Sequence, residues 1–207
     1  MSTKNNFFKL DLRSEMAGSG YVELVKHKRR NKKPKAGDLF GIQVVDFGWI
    51  VGRVIMENPS QMPEVESGPF FDSYLIYLYK GLHESCPQHL DLPIRPLLCL
   101  PPIIMDRELW TMGYAEPIES CPLEELEILN QHCFYDHSAS VVHDEKGRLL
   151  SEVSRPCGVS ALFLVQGLCS WLHHALNNGF DQENHPLGNS FSVHRRSGQK
   201  RIDGDED

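Results

Sequence analysis

The sequence predicts an α+β domain in which a twisted antiparallel sheet, either open or barrel-like, carries two packed helices. Two apolar runs, at residues 39–45 and 49–56, have the composition and spacing of a β-hairpin. Residues 74–79, with the sequence YLIYLY, form a third strand-like run rich in aromatic side chains. Helical patterns begin near Pro122 and near Ser160. The hairpin is the strongest of these signals, and we expect the rest of the sheet to be built on it.

The hairpin is expected at the centre of the core because both of its faces are apolar. A short glycine-containing loop, Asp46-Phe47-Gly48, separates its two strands. Alternation places one set of side chains on the same side of the hairpin: Phe40, Ile42, Val44, Ile50, Val54 and Met56. The opposite side carries Leu39, Val45, Trp49, Val51 and Ile55. A hairpin without a polar face must be covered on both sides.

Further strands are predicted in the second half of the chain, at residues 134–142 and 148–153, joined by the polar turn at 143–147. A short apolar patch at residues 7–12 could add an edge strand. Trp110 is expected to anchor the core.

Two helices complete the prediction. The first begins at Pro122, whose missing N–H costs little in a first helical turn, and Glu124 and Glu125 suit the positive end of the helix dipole. Its buried stripe would be formed by Leu123, Leu126 and Leu129. The second begins after Ser160 as N-cap and closes at Asn178-Gly179.

Length and composition indicate one domain with tails. The 207 residues divide into an N-terminal extension with a basic run (1–31), an α+β domain (32–180) and a polar, acidic, disordered tail (181–207). The six cysteines form no C-x-x-C pair, and the N-terminus lacks the pattern of a secretory signal. These features predict reduced thiols and a cytoplasmic location. No apolar run reaches the length of a spanning helix, so no membrane contact is expected.

Residues 26–35 form a basic run with two interpretations: Lys26, Lys28, Arg29, Arg30, Lys32, Lys33 and Lys35. One is a surface for nucleic acid or an acidic partner, which would make the protein a nucleic-acid-binding or regulatory module. The other is a solvated connection to the hairpin. The run contains no interleaved aromatic residues of the kind that stack on bases, and the net charge of −7 argues against nucleic acid, so the second interpretation is favoured.

Two kinds of reactive site were considered and not adopted. His83, Cys86 and His89 have the spacing of a partial metal site, but no matching second pair of ligands follows. Cys157 precedes the predicted second helix, a position that can activate a thiol, with His132, His137 and His143 as possible bases. No family signature surrounds the cysteine. We therefore predict no catalytic residue, no metal and no cofactor.

The hairpin also carries a resemblance to a known family. Residues 32–55, KKPKAGDLFGIQVVDFGWIVGRVI, resemble the opening of the immunity protein 26 family of bacterial polymorphic-toxin systems. The matching residues are Pro34, Gly37, Asp38, Phe40, Ile42, Gly52, Arg53 and Val54. A looser similarity extends through residues 74–79, Trp110, Pro122 and residues 145–148. The resemblance covers roughly residues 32–176 and is weakest over 161–165.

The resemblance implies a non-enzymatic antidote. Such a protein stays in the cytoplasm of the toxin-producing cell and its kin, and it blocks the toxic C-terminal domain of a cognate effector by occlusion. The shared residues then act as scaffold: Gly37, Asp38, Phe40, Gly52 and Arg53. Asp38 and Arg53 are expected to pair across the hairpin.

The interface is expected on acidic surfaces, because a basic nuclease toxin would associate faster with an acidic partner. The candidate residues are Glu57, Glu64, Glu66, Glu116, Glu119, Glu124, Glu125 and Glu127. Two alternatives stay open at this point. One is the nucleic-acid-binding module that uses residues 26–35, and the other is a thiol or metal enzyme.

Overall fold

The α+β prediction is confirmed. The computed structural model describes residues 20–59, 72–90, 98–137 and 139–178. In chain order its elements are β1 (Asp38–Val44), β2 (Gly48–Glu57), β3 (Ser73–Leu78), β4 (Ile103–Asp106), α1 (Glu108–Thr111), β5 (Ala115–Ser120), a 3-10 turn (Glu125–Glu127), β6 (Cys133–Asp136), β7 (Val141–His143), β8 (Cys157–Val159), β9 (Leu162–Phe163) and α2 (Val165–Asn178). A six-stranded sheet has the order β5-β1-β2-β3-β4-β9, and a three-stranded sheet has the order β7-β6-β8.

The larger sheet is open and not a barrel. Its edges are β5 and β9 in the part of the chain that the structure describes. Its first five strands in spatial order are antiparallel to their neighbours, whereas β9 runs parallel to β4. β9 leads directly into α2, which packs on one face of this sheet.

The predicted hairpin is β1 and β2, which are the second and third of the six strands of the larger sheet and lie within the core as expected. Both faces are covered. Phe40, Ile42 and Val54 belong to one apolar cluster, and Leu39 and Val51 belong to a second cluster on the opposite face. The two clusters account for the apolar character of both faces, since burial of each side chain removes it from water.

One side chain of the hairpin faces the unexpected side. Met56 was predicted beside Ile50 and Val54, yet it packs with the second cluster. The pairing of β2 with β3 shifts register between Val54 and Met56. A shift by one residue moves the side chains that follow to the other face.

The first predicted helix is wrong. Only a single 3-10 turn, Glu125–Glu127, forms where a longer helix beginning at Pro122 was expected. Glu124 and Ile128, which flank the turn, have extended backbone angles. The cause is a tertiary contact. The Arg53 side chain of β2 donates hydrogen bonds to the carbonyl oxygens of Cys121 and Pro122, which hold this segment in an extended path. Local propensity is a weak prior that such contacts override.

The second helix begins at Val165, five residues after the predicted N-cap Ser160. Residues 157–163 form β8 and β9 instead. The later strands also differ from the prediction. Residues 134–142 are divided between β6 and β7, and residues 148–153 contribute only one isolated bridge, between Leu149 and His143.

The basic run is attached to the segment of residues 110–113 by backbone hydrogen bonds. Val22 and Leu24, which precede it, are buried in the first apolar cluster. The His27 N–H donates to the carbonyl of Gly113, and the Arg30 N–H donates to the carbonyl of Trp110. Trp110 is 4% exposed, which confirms it as a core anchor. The run is therefore an attached extended segment.

Several predictions lie outside the described residues. These are the strand at residues 7–12, the tail at 181–207, and Glu64 and Glu66. Neither helix in the described part of the chain combines the length and apolarity needed to cross a bilayer.

Candidate functional site

The candidate site is the acidic segment, which we define as residues 115–127. It comprises the edge strand β5 and the turn that follows it, and it contains five of the predicted glutamates: Glu116, Glu119, Glu124, Glu125 and Glu127. β5 pairs with β1 on one side and forms an edge of the larger sheet among the described residues. The segment is continuous in sequence, and its strand β5 lies alongside β1 of the hairpin.

Gly37 holds the segment to the start of the hairpin. Its N–H donates to the carbonyl of Val54, and its own carbonyl accepts from the Cys121 N–H at 3.2 Å. The backbone has φ of +95°, and a Cβ atom would lie 2.2 Å from the Cys121 oxygen. Only glycine satisfies both conditions without strain. The role of Gly37 in the motif is therefore the close approach of two backbones.

Arg53 holds the next part of the segment. Its side chain is 1% exposed, and Nη2 donates to the Cys121 and Pro122 carbonyls at 3.2 and 2.8 Å. Nη1 lies 2.9 Å from Oε1 of Glu127. A guanidinium suits this position because its planar fork can reach several acceptors at once. The buried charge is thus matched by one carboxylate and two carbonyl groups.

This arrangement corrects the expected pairing of Asp38 with Arg53. The Asp38 carboxylate instead accepts the Lys35 N–H at 2.9 Å, which closes the turn before β1.

Gly52 and Phe40, the two remaining motif residues, also fit together closely. A Cβ on Gly52 would lie 2.4 Å from the Phe40 ring, so the absence of a side chain at Gly52 makes room for that ring. The Phe40 ring packs edge-on against Trp110.

The structure divides the glutamates into anchored and exposed groups. Glu127 is bound to Arg53, Glu116 forms an ion pair with Arg30 at 2.7 Å, and Glu119 accepts the Leu90 N–H at 3.3 Å. Glu124 and Glu125 are exposed, and the Glu124 side chain also takes part in a capping box with the backbone N–H of Glu127. Their carboxylates are therefore the most available to a partner within the acidic segment.

Two of the anchored carboxylates, those of Glu127 and Glu119, are held in their charged form. Burial opposes ionisation of Glu127, but the Glu124 N–H and Arg53 together bring the pKa of its carboxyl below the ordinary value. His89 and the Leu90 N–H hydrogen-bond Glu119 and lower its pKa as well.

Glu57 lies outside the acidic segment, at the end of β2. It is exposed, and its carboxylate accepts the Ala36 N–H at 3.2 Å. Because Ala36 precedes Gly37, Glu57 is close in the fold to the point where the acidic segment attaches.

The basic run keeps part of its charge for internal contacts. Arg30 pairs with Glu116, Lys33 pairs with Asp72, and Lys26 lies 5.1 Å from the centre of the Tyr114 ring. Lys33 and Arg107 together lower the pKa of Asp72. A groove of about 310 Å³ separates this run from β5, with Trp110 among the residues that line it. The basic and acidic segments are thus neighbours.

The histidine–cysteine loop does not assemble a metal site in the described residues, where no group of three or more potential ligands converges. His89 contacts Glu119 at 3.3 Å, and the backbone of His83 pairs with that of Trp49. Cys157 was predicted to precede the second helix. It lies in β8 instead.

Sequence reasoning missed two buried side-chain groups. The Tyr77 hydroxyl lies 2.6 Å from His132 Nε2, and His132 Nδ1 lies 3.1 Å from Glu145 Oε2. The second group is the thiol pair of Cys133 and Cys157, with sulfur atoms 2.9 Å apart. Neither follows from local patterns, because the partners are distant in sequence.

The Tyr77 group has the character of a structural network. The Tyr77 oxygen accepts the Leu129 N–H at 3.1 Å and is hydrogen-bonded to His132, so both bonding directions of the hydroxyl are used. Burial raises the pKa of Tyr77 above its ordinary value. Hydrogen bonding to His132 lowers the pKa of Glu145. A hydroxyl kept neutral between fixed partners stabilises the packing of residues 129–132 on β3.

Comparison with protein-family models, with curated proteins and with solved structures found no match.

Proposed function

We propose that this protein is an immunity protein that binds the toxic domain of a bacterial effector and neutralises it by direct occlusion. The observation that carries the proposal is that buried residues of the hairpin anchor the acidic segment, whereas other residues of that segment are exposed. Gly37 and Arg53, which carry the family resemblance, act beneath the surface and hold the acidic segment in place. Glu124 and Glu125 project from the segment that they support.

This division suits a family whose members bind different toxins. A shared scaffold can keep its buried anchors while the exposed residues above them vary, so that each member fits one partner and rejects others. In this proposal the protein acts by binding and performs no catalysis, and it works in the cytoplasm, which suits the six free cysteines of its resting state.

The proposed partner is a toxin domain with a basic surface, such as a nuclease. The chain carries a net charge of −7, and the exposed carboxylates of the acidic segment would steer a basic partner toward this edge. Glu127 is excluded from the proposed contact because it neutralises Arg53.

The test starts from the neighbouring gene. If it encodes a large secreted protein with a toxic C-terminal domain, co-expression of this chain should rescue cells from that domain. The double variant Glu124→Lys with Glu125→Lys should weaken toxin binding at least tenfold, mainly through a slower association whose rate falls less steeply as salt is added. Binding kinetics at two salt concentrations measure this.

The matched control changes net charge equally on other surfaces. Glu23 and Glu152 are exposed and lie outside the acidic segment, so Glu23→Lys with Glu152→Lys should leave the affinity nearly unchanged. Equal losses in the two double variants would remove the acidic segment from the interface. Failure of the wild-type chain to bind or rescue would reject the immunity function.

A nucleic-acid-binding or regulatory module remains the second candidate because Lys28, Arg29, Lys32 and Lys35 are exposed along one extended segment. A salt-dependent shift of DNA or RNA that is lost when these four residues are neutralised would favour it over toxin binding.

A further inference from the structure

The thiol pair Cys133 and Cys157 occupies directly opposed positions on two neighbouring strands. The residues are Cα partners in the parallel pairing of β6 with β8. Neighbouring strands lie about 4.8 Å apart, which falls within the Cα separations that disulfides accept. The backbone therefore needs no rearrangement to bring the two side chains together.

The side chains already face one another. Their sulfur atoms are 2.9 Å apart, and the contact is a thiol hydrogen bond. Cys133 is fully buried, whereas Cys157 is half-buried. An oxidant arriving from solvent would therefore meet Cys157 first.

The surrounding backbone fixes this arrangement. Next to Cys157, Gly158 is packed so closely that a Cβ atom would lie 2.3 Å from the Pro102 carbonyl oxygen and 3.1 Å from the Phe134 ring. Phe134 is itself fully buried next to Cys133. The space beside the thiol pair is therefore filled by backbone and by an aromatic ring.

We infer that Cys133 and Cys157 form a site of reversible oxidation, at which hydrogen peroxide converts the two thiols into a disulfide that ties β6 to β8. In the first step the Cys157 sulfur attacks one peroxide oxygen and the O–O bond breaks. The leaving hydroxide takes the thiol proton and departs as water, which leaves a sulfenic acid on Cys157.

In the second step the Cys133 sulfur attacks the Cys157 sulfur, and the S–O bond breaks. The released hydroxide takes the Cys133 proton and leaves as a second water. In the reduced pair the shared hydrogen bond raises the pKa of the Cys157 thiol and lowers that of the Cys133 thiol, so the exposure of Cys157, and not its acidity, makes it the first to react. Two thiols and one peroxide thus give one disulfide and two waters, and a dithiol reductant restores the starting state.

The test treats the folded, full-length chain with hydrogen peroxide, quenches it with acid, and counts thiols after denaturation. The reduced protein should show six thiols, and the oxidised protein should lose the pair and keep four. Peptide mapping should then link the peptide containing Cys133 to the one containing Cys157, and dithiothreitol should remove the link.

Variants separate this site from general thiol oxidation. Cys86 is another half-buried cysteine, so Cys86→Ser should leave the crosslink unchanged, whereas Cys157→Ser should abolish it. A native protein that forms a different crosslink, or one in which Cys86 is oxidised while Cys133 and Cys157 stay reduced, would overturn the inference. The mapping uses wild-type protein, so it holds even if a variant fails to fold. The inference does not depend on the toxin-binding proposal.

Discussion

Two segments are fastened to the central sheet by buried polar side chains, and they are fastened in opposite ways. Arg53 holds the acidic segment with a full charge, which is matched by Glu127 and by the Cys121 and Pro122 carbonyls. Tyr77 holds residues 129–132 with a neutral hydroxyl, placed between the Leu129 N–H and His132. The charged Arg53 anchor costs more free energy to bury than the neutral Tyr77 hydroxyl, and removing it destabilises the fold more. It therefore defines the path of its segment more strictly, and here it replaces a helix that local sequence favours.

The largest effect is expected from loss of the charged anchor. Arg53→Met should lower the free energy of unfolding by about 4 kcal/mol, because it leaves Glu127 partly buried without its counter-charge and two carbonyls without donors. Denaturant unfolding followed by fluorescence measures the change. Arg29→Met, at an exposed position of the basic run, is the control and should cost less than about 0.5 kcal/mol. Similar values for both variants would show that the buried charge does not fasten the segment.

A smaller effect is expected from the neutral anchor. Tyr77→Phe keeps the ring but removes the oxygen, so the Leu129 N–H and His132 lose a buried partner. The free energy of unfolding should fall by about 2 kcal/mol. The matched change Tyr21→Phe, at an exposed tyrosine, should be nearly neutral. If Tyr77→Phe proved as harmful as Arg53→Met, the proposed difference between the anchors would be wrong.

The smallest effect is a difference in pH dependence. Glu127 and Glu145 both have a pKa below the ordinary value of 4.5 in the folded protein. Their contribution is therefore fully present above pH 4.5 and is lost as the pH falls through the lowered folded values. Urea midpoints measured between about pH 7 and pH 3 should fall over the acid part of this range. Glu127→Gln and Glu145→Gln should each flatten that fall, and an unchanged profile in either variant would exclude its carboxylate as a source.

The sequence was most informative where burial alone decides the structure. The apolar alternation of the hairpin predicted β1, β2 and their central position, because those side chains must be covered whatever surrounds them. It failed at Pro122, where the proline and the glutamates that follow it favour a helix start but Arg53, distant in sequence, binds the backbone. It also failed at Met56, because a register shift depends on the neighbouring strand.

The candidate site was predicted only in part. The glutamates were found from their clustering, but their roles were not, since Glu127 is an internal anchor whereas Glu124 and Glu125 are exposed. The Tyr77–His132 contact joins residues 55 positions apart, and no local pattern reports such a meeting. Pairing of this kind becomes visible only when the strands are placed side by side.

The edge strand β5 carries Pro117 opposite Phe40, and this proline is exposed. Proline has no N–H to donate to a further strand, so β5, an edge strand among the described residues, carries a residue that disfavours continued strand pairing. At high protein concentration this proline therefore disfavours edge-to-edge aggregation of the sheets of different molecules. A partner that binds at β5 would likewise be recognised through side-chain contacts, because backbone pairing along this strand is not continuous.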